Sequence, residues 1–131
     1  MFSRKNKSTI DSLIGVATTI EGNLHFKGGL RIDGYVKGNV IAEAGEASML
    51  VISEQAKIDG EVRAGHIVVN GEINGPVFSA ELIELQPKAR ISGDVHYKAL
   101  EMMSGALVAG KLAHDQLSEP MMLKLASSNG G

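Results

Sequence analysis

Along most of this chain a short phrase of hydrophobic and polar positions keeps returning: an aliphatic residue, a polar one, Gly, any residue, a second aliphatic. It reads Ile20-Glu21-Gly22-Asn23-Leu24, Ile32-Asp33-Gly34-Tyr35-Val36, Ile58-Asp59-Gly60-Glu61-Val62, Val69-Asn70-Gly71-Glu72-Ile73 and Ile91-Ser92-Gly93-Asp94-Val95. A weaker copy is Met103-Ser104-Gly105-Ala106-Leu107. Between the copies lie aliphatic runs such as Leu50-Val51-Ile52, Ile67-Val68-Val69 and Leu82-Ile83-Glu84-Leu85. Short, branched and bounded by turn residues, these predict strands. The Asp-Gly, Asn-Gly, Glu-Gly and Ser-Gly pairs supply corners, because Gly adopts a positive φ without steric penalty. Gly recurs too often in this stretch for a helix to form.

The copies also align with one another over long distances. Ile20, Gly22 and Leu24 match Ile58, Gly60 and Val62 at an offset of 38, and those match Ile91, Gly93 and Val95 at 33. The outer pair match at 71, where His25-Phe26-Lys27 lies over His96-Tyr97-Lys98 and Ile32–Val36 over Met103–Leu107. Gly34, Val36, Gly38 and Val40 match Gly71, Ile73, Gly75 and Val77 at 37, and the excess over 33 predicts an insertion near Ala42–Ser48. An antiparallel meander would place each Gly pair at a hairpin tip. It would not demand like residues 33 or 38 positions on. A parallel β-solenoid does, because aliphatic residues stack in columns from turn to turn, and the solenoid is the favoured reading. Four turns in 71 residues give about 18 per turn, or three faces of about six, and about six turns in all. The expected division is a flexible basic arm over 1–12, an all-β helix over 13–112 and a flexible tail over 113–131.

Composition narrows the interior and the chemistry. Aromatic residues make up 4% of the chain and Trp is absent, so Ile, Val, Leu and Ala must fill a narrow core. A net charge of −2 supplies no basic field for nucleic acid. The chain has no Cys, which excludes disulfide and thiol chemistry and fits a reducing cytoplasm. No signal peptide follows Met1, and no run approaches the roughly 20 apolar residues that span a bilayer. A cytoplasmic protein is expected.

No catalytic constellation emerges, and no enzyme, cofactor or metal is expected. His25 and His96 occupy one repeat position four turns apart, about 19 Å at the stacking distance of strands, too far to share a metal or proton. His66 and His114 have no neighbour at ligand spacing. Asp33-Gly34 and Asp59-Gly60 lack the dense Gly/Asp nonapeptides of calcium solenoids. Acyltransferases on hexapeptide β-helices keep strict six-residue phase, whereas the Gly steps here run 12, 26, 11, 22 and 12.

The ends carry more. A solenoid leaves unpaired N–H and C=O groups on its first and last turns, and monomeric repeat proteins cover those turns with polar caps. The terminal turns here carry Leu13, Ile14 and Val16 at one end and Leu107, Val108 and Leu112 at the other, and these six are the candidate polymer interface. Tails folding back as caps are the alternative. Phe2 beside Arg4, Lys5 and Lys7 combines an insertable ring with three positive charges. Each charge near an anionic leaflet contributes about 1 kcal/mol, and many copies along a polymer would add by avidity. A solubilising tail has the same composition.

Together these residues resemble the bactofilin family of bacterial polymer-forming cytoskeletal proteins, over about 9–112. The resemblance rests on Leu30-Arg31-Ile32-Asp33-Gly34-Tyr35-Val36-Lys37-Gly38-Asn39-Val40, on Val68-Val69-Asn70-Gly71-Glu72-Ile73-Asn74-Gly75-Pro76-Val77 and on Ala89-Arg90-Ile91-Ser92-Gly93-Asp94-Val95. It implies a right-handed, three-sided parallel β-helix that polymerises end to end without nucleotide into non-polar filaments. It also implies a scaffold at the inner face of the cytoplasmic membrane that localises cell-wall enzymes and influences cell shape. Met1-Phe2-Ser3-Arg4-Lys5-Asn6-Lys7 is similar to the family's membrane-targeting motif, which makes Phe2, Arg4, Lys5 and Lys7 the membrane contacts. Family members often place a Phe near the last turn; no aromatic follows Tyr97 here, so Leu107, Val108 and Leu112 take that role. The expected partners are further copies of the chain, an anionic lipid surface and envelope proteins. A monomeric or small-oligomer solenoid that binds one partner is the alternative, ahead of a β-helix acyltransferase.

Overall fold

Parallel pairing runs through all sixteen strands of the computed structural model, which describes residues 10–115. Each turn lays three strand segments around a triangle and then steps up one layer. The first face stacks Ser12–Ile14, Gly28–Ile32, Ser48–Ile52, the later halves of Val62–Val69 and Val77–Leu85, and Ala99–Met102. The second stacks Thr19–Glu21, Tyr35–Lys37, Lys57–Asp59, Glu72–Asn74, Arg90–Ser92 and Leu107–Ala109. The third holds Leu24–Phe26, Val40–Ala42, the opening halves of the two long strands, Val95–Tyr97 and Leu112–His114. This is the three-sided parallel β-solenoid of six turns that the long-range offsets predicted. Its strands open at Ser12 and close at His114, one and two residues outside the expected 13–112 limits.

Register explains why the offsets were legible. Ile20, Val36, Ile58, Ile73, Ile91 and Val108 form one inward column, and Leu24, Val40, Val62, Val77, Val95 and Leu112 another. The turns are unequal. Ile58 pairs with Ile73 fifteen residues on, whereas Val36 pairs with Ile58 twenty-two on. The long turn contains Glu43–Ala47, an exposed loop at the expected insertion.

One expected repeat is out of register. Leu85 pairs with Met102 and Ile91 with Val108, so Met103–Leu107 lies inside a long corner, not a short one. Corners between the first and second faces come in two lengths. Ile32 to Val36 and Val69 to Ile73 take four steps; Ile52 to Ile58, Leu85 to Ile91 and Met102 to Val108 take six. Gly105 resembles Gly34 in spacing but serves the other kind of bend.

The interior is a dry aliphatic rod. Ile32, Ile52, Ile58, Ile67, Ile73, Ile83 and Leu85 have no exposed surface. The third face sets the width: Ala42, Ala64 and Ser79 occupy the middle turns of a column whose outer turns hold Phe26 and Tyr97. Buried polar groups are paired, since Ser79 Oγ donates to the Gly65 carbonyl at 2.9 Å and Gly65 N–H donates to Ser48 Oγ at 2.8 Å.

The bend from second to third face is the most regular element. Gly22, Gly38, Gly60, Gly75, Gly93 and Gly110 stack there in one column, and a Cβ on any of the last five would collide with the carbonyl oxygen of the glycine one turn earlier. Close backbone approach therefore dictates Gly at this corner. Asn23 and Asn39 side-chain oxygens each accept a backbone N–H one turn later, from Asn39 at 2.9 Å and Glu61 at 2.8 Å. Asp94 accepts from Lys111 N–H in the same way at 2.9 Å.

Candidate polymer interface at the ends of the coil

Both ends of the coil stop with their columns open. Ile14, Ile20 and Leu24 belong to inward columns, but on the first turn none of the described residues packs beneath them, and all three are only partly buried. On the last turn Leu100 and Val108 are partly buried, and Leu112 is 43% exposed where Val40, Val62, Val77 and Val95 of its column are fully enclosed. Met102, in column with Leu85, is 45% exposed. The glycine column repeats the pattern: Gly22 faces open space where each later member faces a carbonyl. Among the described residues each end thus presents an apolar triangle with unpaired strand edges around it.

Of the six residues expected at the contact, three lie on these triangles. Ile14, Val108 and Leu112 point along the coil interior. Leu13 pairs with Arg31 in an outward column of the first face, and Leu107 pairs with Arg90 in an outward column of the second, so both project sideways from the terminal turns. Val16, 61% exposed, sits in the first corner. The same triangles also hold Ile20, Leu24, Leu100 and Met102, which were not among the six expected residues, although the aligned columns contained the signal for the first two. Phe2, Arg4, Lys5 and Lys7 lie outside the described residues, as does the tail beyond Asp115.

The flanks hold polar ladders that staple turns together. On the second face Tyr35 Oη donates to Asp59 Oδ2 at 2.5 Å and Asn74 Nδ2 donates to Asp59 Oδ1 at 2.8 Å. The Asn74 and Tyr35 hydrogen bonds hold the Asp59 carboxyl below the usual aspartate range, and the same Asp59 bond pushes the Tyr35 phenol up. The Lys37 and Lys57 ammonium groups lie 5.5 and 5.4 Å from the Tyr35 ring centre. At the neighbouring corner Ser53 Oγ and then Arg31 donate to Asp33 and lower its pKa. On the third face Arg63 stands 3.9 Å over the Phe78 ring, which stacks on His96 at 4.6 Å. His25 shares that column, four turns from His96. His66 pairs with Glu84 at 2.6 Å and His114 with the Lys98 carbonyl at 3.0 Å. Among the described residues no three His, Asp or Glu side chains gather as a metal site. These are structural rungs, each spanning one or two layers.

A family model for bactofilins, described as polymer-forming cytoskeletal proteins, matches residues 12–113. The chain belongs to the bactofilin family. The match covers the whole six-turn coil, including both open ends. Bactofilin BacO of Myxococcus xanthus (strain DK1622) is 21% identical over 114 residues, 87% of either chain. A bactofilin of Thermus thermophilus, known from a cryo-EM reconstruction of its double helical filaments, superposes with a TM-score of 0.69 at 28% identity. That alignment covers 78% of this chain and 98% of the other. As a bactofilin the chain is a structural, polymer-forming component of a cytoskeleton.

Proposed function

We propose that this bactofilin polymerises by stacking the open ends of its coil and serves as a non-enzymatic scaffold at the inner face of the cytoplasmic membrane. One observation carries the reading: aliphatic columns that are sealed in the middle turns run unsealed to both ends. Stacking would continue those columns across a subunit boundary and bury apolar surface at about 25 cal/mol per Å². Neither nucleotide nor metal has a part in such a contact. The filament of the Thermus thermophilus relative supports it.

Electron microscopy and sedimentation velocity test the contact. Leu24→Arg or Leu112→Arg places a charge on a terminal triangle, and each is expected to leave dispersed single subunits with an unchanged β-sheet circular dichroism spectrum. Filaments as long and frequent as wild type in both variants would overturn end stacking.

The arm over 1–12 is proposed as the membrane contact, with Phe2 inserting and Arg4, Lys5 and Lys7 facing anionic headgroups. Phe2→Ala, or reversal of Arg4 and Lys5 to Glu, is expected to remove the filaments from the pellet with anionic liposomes. Unchanged co-sedimentation would refute this role. Held there, the polymer would localise cell-wall enzymes and so influence cell shape.

A monomeric binding module is the second reading. A groove of about 390 Å³ between the Glu43–Ala47 loop and Arg63, Phe78 and His96 favours it. Single particles at every protein and salt concentration would give it precedence.

A further inference from the structure

The groove beside the Glu43–Ala47 loop is acidic. Glu43, Glu46, Glu81 and Asp115 line it, against one guanidinium, Arg63, and the His96 ring. Arg63 is already paired with Glu61 and lies over the Phe78 ring. Among the described residues none of the four carboxylates forms an ion pair. Ile41, Ala42 and Phe78 give the groove an apolar side as well. Its complement is a short segment that combines positive charge with an apolar or aromatic residue.

The chain itself contains such a segment. Residues 1–9, outside the described residues, carry Phe2 with Arg4, Lys5 and Lys7 and no acidic residue, whereas over 116–131 Glu119 and Lys124 cancel. Reach also favours the arm. Asp11 stands at the third-to-first corner, where its N–H donates to the Gly29 carbonyl at 2.9 Å and Gly29 N–H donates to Asp11 Oδ2 at 3.0 Å. Above Gly29 the same column continues through Met49, His66 and Leu82. Ser48, Gly65 and Glu81 of the groove immediately precede these three. The groove therefore lies two to four layers above Asp11, about 10–19 Å at about 4.8 Å per layer. Nine extended residues span up to about 30 Å.

We infer that the groove is the docking site of the basic arm of the same chain, with Arg4, Lys5 and Lys7 matched to its carboxylates and Phe2 to its apolar side. The tether places the arm at high effective concentration beside the groove, so weak contacts suffice to hold it. Docked there, the arm is withheld from lipid, and the groove and an anionic surface compete for the same four side chains. Docking stands without the membrane reading; only this competition rests on it.

Disulfide trapping in the full chain, which has no native cysteine, tests this. Ala80 is exposed in the groove, and Val51, outward on the first face, lies nearer the root of the arm. Under mild oxidation Ser3→Cys/Ala80→Cys is expected to close an intramolecular disulfide about tenfold faster than Ser3→Cys/Val51→Cys, although the tether alone favours Val51. Adding Glu43→Gln, Glu46→Gln and Glu81→Gln should bring the Ala80 rate down to the Val51 rate, with a thermal melt within a few degrees of wild type. Equal rates at Ala80 and Val51, a rate that the three substitutions leave unchanged, or a product found only as a dimer would overturn the inference. So would Ser118→Cys closing on Ala80→Cys faster than Ser3→Cys does, which would give the groove to the tail. Vesicles of phosphatidylglycerol and phosphatidylethanolamine are expected to slow the Ser3–Ala80 closure. A fast closure that vesicles leave unchanged upholds the docking and removes the membrane competition.

Discussion

At single positions, backbone crowding and short polar rungs decide more than side-chain volume does. Gly60→Ala or Gly75→Ala would press a methyl group into the carbonyl of the preceding turn. Each is expected to cost roughly 1–3 kcal/mol or more, a fall of several degrees or above in melting temperature for a domain of this size. Gly15→Ala, with nothing within 4 Å of its Cβ, is expected to melt with the wild type. The polar rungs impose a pH dependence with two limbs. Asp33 and Asp59 are depressed in the folded state, so their contribution is present above the unfolded aspartate range, near about 3.9, and is lost as pH falls through the lower folded values. Tyr35 is raised, so its contribution is present below the unfolded tyrosine range, near about 10, and is lost as pH climbs through the higher folded value. Denaturation midpoints measured from acid to alkaline pH are expected to show a plateau between these limbs. Asp59→Asn should weaken both limbs at once, by a small amount because the groups face solvent.

At the level of the strand and corner, the chain is a repeat whose turns vary in length at two of the three bends and keep one constant. The second-to-third bend takes four steps in all six turns, held by the stacked glycines, while the third-to-first bend admits Glu43–Ala47. Deleting residues 44–47 would shorten the long turn to the spacing that separates Ile73 from Ile91. The β-sheet spectrum is expected to survive, with a melting temperature within a few degrees of wild type, since loop closure depends weakly on length. The inward columns were legible in the sequence because each repeats an aliphatic residue at offsets that are whole numbers of turns. The final corner was not. Gly105 follows Met103 at the spacing that Gly34 keeps from Ile32, and only hydrogen-bond register separates a six-step bend from a four-step one. The end surfaces were half legible for a related reason. Leu13 and Leu107 are as apolar as Ile14 and Val108, and on a terminal turn no periodicity beyond the chain tells an outward position from an inward one. The Asn23–Asn39–Glu61 ladder left no signal, because Asn and Glu at a corner also read as ordinary turn residues.

Over the whole molecule, stability is distributed as a sum of layers, each contacting the layer above and below. The middle layers are sealed and the outer two are open, so the molecule is most stable at its centre and weakest at its ends. Hydrogen exchange should follow this gradient, with the amides of Ile58, Ile67 and Ile73 slowest and those of Ile20 and Val108 much faster in dispersed subunits. In filaments the end amides are expected to slow toward the central values if the terminal triangles are the contact. End amides that exchange equally fast in both forms would place the contact elsewhere.

The open columns of the first and last turns have a kinetic meaning as well. A coil that grows by laying each strand on the one before it uses its own finished surface as a template, and among the described residues the last turn is such a surface, left open. An incoming subunit that docks there repeats, without a covalent link, the step by which the subunit itself was built. Folding and elongation are then the same reaction at two scales, and the melting temperature is expected to climb with protein concentration as assembly draws the folded state forward.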